Sequence, residues 1–331
     1  MGDTDLVIGP GPVFMCSGQG SQRPGMGVDL LDIPSVALVF ACASEVFGRD
    51  MVQLVTGASA EELDDTRNAQ AALSTLSVAA ARACEERGVA PSAALGFSLG
   101  QVSALAVTGM LTDEETFRLV AIRSELMGEA TYGRPGAMTA LLKADPDEVE
   151  ELCVLCRRGQ VLQPANFNCP GQIVVSGDIS AIERVEEAWV ARHKRFSRLA
   201  TSGAFHSPLM HEAAIELDAY LSRVTFSEPR IPLVCNVDAR PLDAAHARER
   251  LSAHLTHPVL FQQSVELLKG AGASLFVELG PGGVLSGLVR RVDRGLRCMA
   301  VQDKESLAVL AGVGQGTDPC PTPPPSQSGR P

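Results

Sequence analysis

Ala93-Ala94-Leu95-Gly96-Phe97-Ser98-Leu99-Gly100 is the segment that sets the architecture. Ala93–Phe97 reads as a short apolar strand, and the residues after it at helical spacing are small: Gly100, Ser103, Ala104 and Val107. Between them stands a G-x-S-x-G pattern. Its flanking glycines let strand and helix backbones approach closely while the central Ser98 is thrust outward. A helix N-terminus directly below offers unpaired N–H groups and a positive dipole end to a developing oxyanion. The pattern is common by chance, and the strand before it and the helix after it are what give it weight. The alternative is a Gly-rich turn with a buried serine.

The same alternation continues in both directions. Val13-Phe14-Met15-Cys16 is a strand candidate, Ala69–Arg87 a helix that Gly88 caps, and Ile231–Val237 and Leu275–Leu279 are further strands. Strand, turn and helix in repetition predict an α/β fold with a mainly parallel sheet. From about Arg134 the texture changes. Ala137–Leu142 and Gln172–Ser176 read as strands, Pro146–Arg157 and Ile179–His193 as helices, and Lys194–Thr201 as a further strand. That is a small α+β unit inserted in a larger one. The expected division is a large α/β domain over 1–133 and 206–313 and a small subdomain over 134–205. A Pro/Gly/Ser-rich tail over 314–331 is expected to be disordered.

Composition narrows the function. Of 331 residues 45% are hydrophobic and 20% charged, which is globular usage and not that of a disordered chain. The formal charge of −11 argues against a general nucleic-acid binder. No apolar run is long enough to span a membrane. Met1-Gly2-Asp3-Thr4-Asp5 lacks the basic start of a signal peptide, so a cytoplasmic enzyme is expected, and as a monomer. The nine cysteines are scattered and do not form a disulfide framework. Cys153 and Cys156 make a lone C-x-x-C; without a second pair it reads as two small residues on a helix face, and no metal is expected.

A serine at its free pKa needs a base. Among six histidines, His206 in Gly203-Ala204-Phe205-His206-Ser207-Pro208 stands in a small-residue approach to a helix. Spacing alone leaves it either that base or a surface or capping histidine. Arg123 likewise reads on its own as a helix-surface residue paired with Glu125 or Glu129.

Several short segments change that balance by occurring together and in order. They are Gly18-Gln19-Gly20-Ser21-Gln22, Gly96–Gly100 with Gln101, Arg123 in Ala121-Ile122-Arg123-Ser124, and Asn166-Phe167-Asn168-Cys169-Pro170-Gly171-Gln172. Ala204-Phe205-His206-Ser207, Cys235-Asn236-Val237-Asp238, His257-Pro258-Val259 and Glu278-Leu279-Gly280-Pro281-Gly282 follow. Over about residues 12–305 the chain resembles the malonyl-CoA:acyl-carrier-protein transacylases of type II fatty-acid synthesis and the related acyltransferase domains of polyketide synthases. The resemblance implies an α/β-hydrolase-like large domain with a ferredoxin-like insertion. It implies transfer of malonyl from malonyl-CoA to an acyl carrier protein, with no cofactor. Ser98 takes the place of the nucleophile and His206 of its base, with the backbone N–H groups of Gln19 and Leu99 as oxyanion donors. The position matching the histidine-orienting carbonyl is His254, whose side chain is expected to be immaterial. Arg123 matches the arginine that pairs with the malonyl carboxylate; leaving it unpaired in a closed pocket costs on the order of 3–5 kcal/mol, enough to reject acetyl. Gln70 matches a pocket-wall residue, and Phe205 a ring that crowds an α-methyl group. For the acidic carrier, Lys194 and Arg195 are the expected docking patch.

Two positions depart from the family pattern. Phe97 stands where a histidine is usual, and Gln101 where glutamate is frequent. Rival readings are a stand-alone polyketide or malonate-decarboxylase-type acyltransferase, a serine thioesterase, and an inactive carrier-binding module.

Overall fold

The computed structural model describes residues 6–201 and 203–314. The expectations for Met1–Asp5 and for the tail therefore lie outside the described residues, with one exception. Gly314, expected to open the tail, closes the helix Lys304–Gly314.

Strand β1 (Val13–Cys16) is wholly buried and pairs in parallel with β2 (Ala93–Gly96). Four strands then build a separate sheet: β3 (Ala137–Ala144), β4 (Leu162–Cys169), β5 (Gly171–Gly177) and β6 (Phe196–Arg198). The chain returns to the first sheet with β7 (Leu233–Val234), β8 (Leu275–Leu279) and β9 (Arg297–Val301). The large sheet has the order β7-β2-β1-β8-β9 and is parallel throughout. Chain order reverses beside β1, and in open parallel sheets the crevice at such a reversal, outside the carboxyl ends of the strands, is where sites form.

The helix Leu99–Thr108, buried at all ten positions, runs from the end of β2. Only small residues allow this. A Cβ on Gly100 would stand 1.9 Å from the Cys16 carbonyl oxygen, and one on Gly96 2.0 Å from the Gln101 nitrogen. The long helices Thr66–Glu86 and Asp113–Gly133 pack beside it. The second begins with a capping box: the Glu115 N–H donates to Thr112 Oγ1, and the Thr112 N–H donates to the Glu115 carboxylate.

The small sheet is antiparallel with order β4-β5-β3-β6. With the helices Pro146–Arg157 and Ile179–Ala191 between its strands, it has the ferredoxin-like β-α-β-β-α-β succession. It has its own core, including Leu141, Val149, Leu152, Val175, Ile182 and Trp189. Sequence reading missed β4, because Pro164, Asn166 and Asn168 interrupt its apolar pattern. As an edge strand with register shifts at Pro164/Asn166 and Phe167/Cys169, it tolerates them. The strand expected over Ile231–Val237 is only Leu233–Val234, since Asn236 beyond it turns its polar groups to the elbow.

Candidate active site

Ser98 sits between β2 and the helix at φ 52°, ψ −105°, a backbone strain of order 1–3 kcal/mol for a residue with a side chain. Asn236 braces this turn. Its Oδ1 accepts from the Ser98 N–H at 2.9 Å, and its Nδ2 donates to the Gly96 carbonyl at 2.8 Å. Asn236 in turn donates its own N–H to Gln101 Oε1. Gln101 thus keeps a neutral hydrogen-bonding group in a fully buried place.

Ser98 Oγ lies 2.8 Å from His206 Nε2, and His206 Nδ1 lies 2.8 Å from the His254 carbonyl oxygen. A carbonyl can only accept, so Nδ1 carries the proton and Nε2 presents a lone pair to the serine hydroxyl. His206 is 3% exposed, and its pKa is pushed down to about 4, first by burial and then by the charge of Arg123. At neutral pH the imidazole is therefore unprotonated and ready to accept.

Arg123 is 1% exposed. Its Nη1 donates to Gln70 Oε1 at 2.5 Å and its Nη2 to Ser98 Oγ at 3.2 Å, while Nε has no partner. Among the described residues no carboxylate pairs with it, and burial lowers its pKa to about 10. Glu125, one of the surface partners considered from sequence, is held by Arg67 instead. A desolvated guanidinium with open donor capacity beside a serine hydroxyl is a site for an anionic group.

Ser98, His206 and Arg123 line one cavity of about 360 Å³, together with Gln19, Leu99 and Phe205. Leu99 opens the helix, where its N–H has no intrahelical partner, and Gln19 follows β1 in the loop facing it. Asn166, Met127 and Met138 also face the cavity; sequence reading assigned them no role. Gln70, expected as a wall residue, is fully buried and accepts from Arg123 Nη1. The expected docking patch is altered as well. Glu148 takes up both Lys194 and Arg192, and Lys194 lies 4.4 Å from the Trp189 ring, leaving Arg195 exposed. The basic residue of the insertion that reaches the cavity is Arg198, paired with Glu186.

Phe97 makes a packing contact. Its ring meets Phe261 edge-on at 5.4 Å, and Gly18 lies flush against it, where a Cβ would come within 2.8 Å of its Cδ1. A ring that only packs can be exchanged at under about 1.5 kcal/mol. Phe97→His is therefore expected to change kcat by less than about tenfold. A rise of about a hundredfold in steady-state turnover would show the natural protein to be impaired.

The His254 side chain is not a bystander in stability. Its ring is buried 5.1 Å from that of His206, its Nε2 lacks a partner among the described residues, and burial holds its pKa well below the usual 6.5. For both histidines the folded pKa lies below the unfolded one, so below about pH 6.5 the unfolded chain binds protons that the native state refuses, for His206 down to about pH 4. Stability is expected to fall with pH across that window, by up to roughly 1.4 kcal/mol per unit for each histidine. Denaturation midpoints of wild type and His254→Gln at neutral and mildly acidic pH check this. Equal acid sensitivity in the two proteins would refute the His254 contribution.

A strand-to-helix serine, a buried neutral histidine oriented by a carbonyl, and a buried guanidinium with no carboxylate partner among the described residues define a serine acyltransferase site on an α/β fold. Comparison with known proteins agrees. The acyl transferase domain family matches residues 13–316. The malonyl CoA-acyl carrier protein transacylase of Bacillus subtilis is 38% identical, over 89% of this chain and 94% of that relative. A malonyl-transacylase solved in complex with its holo type II PKS acyl-carrier protein superimposes with a TM-score of 0.89 at 38% identity, covering 92% of this chain and all of that one. The malonyl-CoA:acyl carrier protein transacylase of Xanthomonas oryzae gives a TM-score of 0.89 at 36% identity, covering 93% and 99%. The chain belongs to the malonyl-CoA:acyl carrier protein transacylase family.

Proposed function

We propose that this acyltransferase moves the malonyl group from malonyl-CoA to the phosphopantetheine thiol of an acyl carrier protein, through a malonyl-serine intermediate. The observation that carries the reading is Arg123, a buried cation without a carboxylate partner among the described residues, 3.2 Å from Ser98 Oγ. Ser98 is the nucleophile. His206 Nε2 takes its proton as Oγ attacks the thioester carbonyl, and the oxyanion is received by the N–H groups of Gln19 and Leu99. The carbon–sulfur bond breaks, and His206 returns the proton to the departing CoA thiolate. In the second half His206 deprotonates the carrier thiol, which attacks the malonyl ester, and Ser98 leaves with the proton restored. Arg123 holds the malonyl carboxylate throughout, and Phe205 narrows the space beside its α-carbon.

Supply of fatty-acid synthesis is our first reading of the pathway. Polyketide assembly is the second, favoured by the neighbour solved with a type II PKS carrier protein. We place the reaction in the cytoplasm, a reading supported by free thiols at all eight cysteines among the described residues. We also read 1–133 with 206–313 as one domain and 134–205 as an inserted one, a division supported by the change of sheet after β2 and after β6. Intact-mass analysis after mixing with malonyl-CoA, then with holo carrier protein, tests the function. A malonyl adduct that moves to the carrier is expected; rapid release of free malonate instead would make the protein a thioesterase.

A further inference from the structure

Among the described residues, one side chain of the inserted sheet hydrogen-bonds His206. Gln163 on β4 is partly buried, and its Nε2 donates to the backbone carbonyl of His206 at 2.8 Å and to that of Thr256 at 3.0 Å. His206 itself sits at φ 57°, in the left-handed region. Thr256 lies two residues beyond His254, whose carbonyl holds His206 Nδ1. The two carbonyls bridged by Gln163 therefore belong to the segment that carries the imidazole and the segment that orients it. A carboxamide nitrogen has two hydrogens, one for each. We propose that Gln163 is a positioning residue for acyl transfer, clamping His206 to the 254–256 segment so that Nε2 stays aimed at Ser98 and coupling the seat of the inserted sheet to the base. This rests on the reading of His206 as the general base.

The clamp is separable from folding. β4 is also joined to Val259, just beyond that segment, by backbone bonds: Phe167 N–H donates to the Val259 carbonyl and Val259 N–H to the Ala165 carbonyl, both at 2.9 Å. Those bonds survive any change of the Gln163 side chain.

Gln163→Leu is expected to lower kcat by about tenfold to a hundredfold while KM for malonyl-CoA and for carrier stays within about threefold, the signature of a misaimed base. Gln163→Glu supplies the second readout. As a carboxylate it has no hydrogen for either carbonyl; protonated, it regains one donor. Its rate relative to wild type is therefore expected to rise as pH is lowered from about 8 to about 5. Glu150, His211 and His257 line the cavity beside Gln163, with His206 behind it, and all four are present in both proteins. A kcat for Gln163→Leu within about twofold of wild type, a loss confined to KM, or a pH-independent ratio for Gln163→Glu would each overturn the proposal. His206→Ala is measured alongside. If it retains transfer, the base reading itself fails; if it is inactive while Gln163→Leu is normal, only the clamp fails.

Discussion

Ser98→Ala is expected to leave no malonyl adduct and to lower transfer by several orders of magnitude, with the fold unchanged. The hydroxyl is the only group of Ser98 that meets His206 and Arg123, while the strained turn is held through its backbone by Asn236. Alanine keeps that backbone bond and removes only the attacking atom. His206→Ala should be nearly as damaging, because a serine without a base is a poor nucleophile. Since the two act as one unit, the double variant should be scarcely slower than Ser98→Ala alone. Single-turnover malonylation followed by intact mass, with thermal unfolding as the control for folding, gives all three values. Near-wild-type transfer by Ser98→Ala would end the nucleophile assignment. A double variant whose loss is the product of the two single losses would give His206 a separate task.

What the sequence made legible was local. The elbow could be read because its strand, glycines, serine and helix start follow one another in a few residues, although the approach that demands Gly100 is to Cys16 on β1, and Pro146–Arg157 because its periodicity and its start at Pro146 lie in one continuous stretch. The resemblance placed Ser98, His206 and Arg123 in one site, yet no spacing could bring them together: the 2.8 Å contact spans 108 positions. What escaped was pairing across the fold. Glu148 neutralises Lys194 from 46 residues away, so a cluster that reads as a basic patch is partly an internal ion-pair group. Gln70 reads as a wall residue, although its amide oxygen is committed to Arg123. Gln163 gave no signal at all, because a glutamine on an irregular edge strand looks like any exposed polar residue until its two carbonyl partners are seen. β4 was missed for a related reason: its bonds to Val259 tie the small sheet to a distant stretch of chain and leave no trace in local hydrophobicity.

Arg123→Ala is expected to reduce kcat/KM for malonyl-CoA by about two to four orders of magnitude, matching the roughly 3–5 kcal/mol attached to losing one partner of a buried charge pair. Acetyl-CoA, which brings no carboxylate, should lose nothing comparable. In the wild type it must leave the Arg123 Nε and the open face of the guanidinium without a counter-charge in a desolvated cavity. Removing the arginine removes that penalty, so the malonyl-to-acetyl preference should collapse toward unity. Arg123→Lys separates charge from shape: a point charge without the planar fork should recover only part of the preference. The same substitution acts on the base. The Arg123 charge is the second cause of the low His206 pKa, after burial, so the acid limb of the pH–rate profile should move to higher pH in Arg123→Ala and stay near its wild-type position in Arg123→Lys. Gln70→Ala, which leaves the cation in place but unbraced, should fall between wild type and Arg123→Ala. Competition between the two thioesters for one enzyme, read as adduct masses, measures the preference directly. An Arg123→Ala enzyme that still chose malonyl over acetyl by the wild-type ratio would mean that the carboxylate is recognised elsewhere in the cavity.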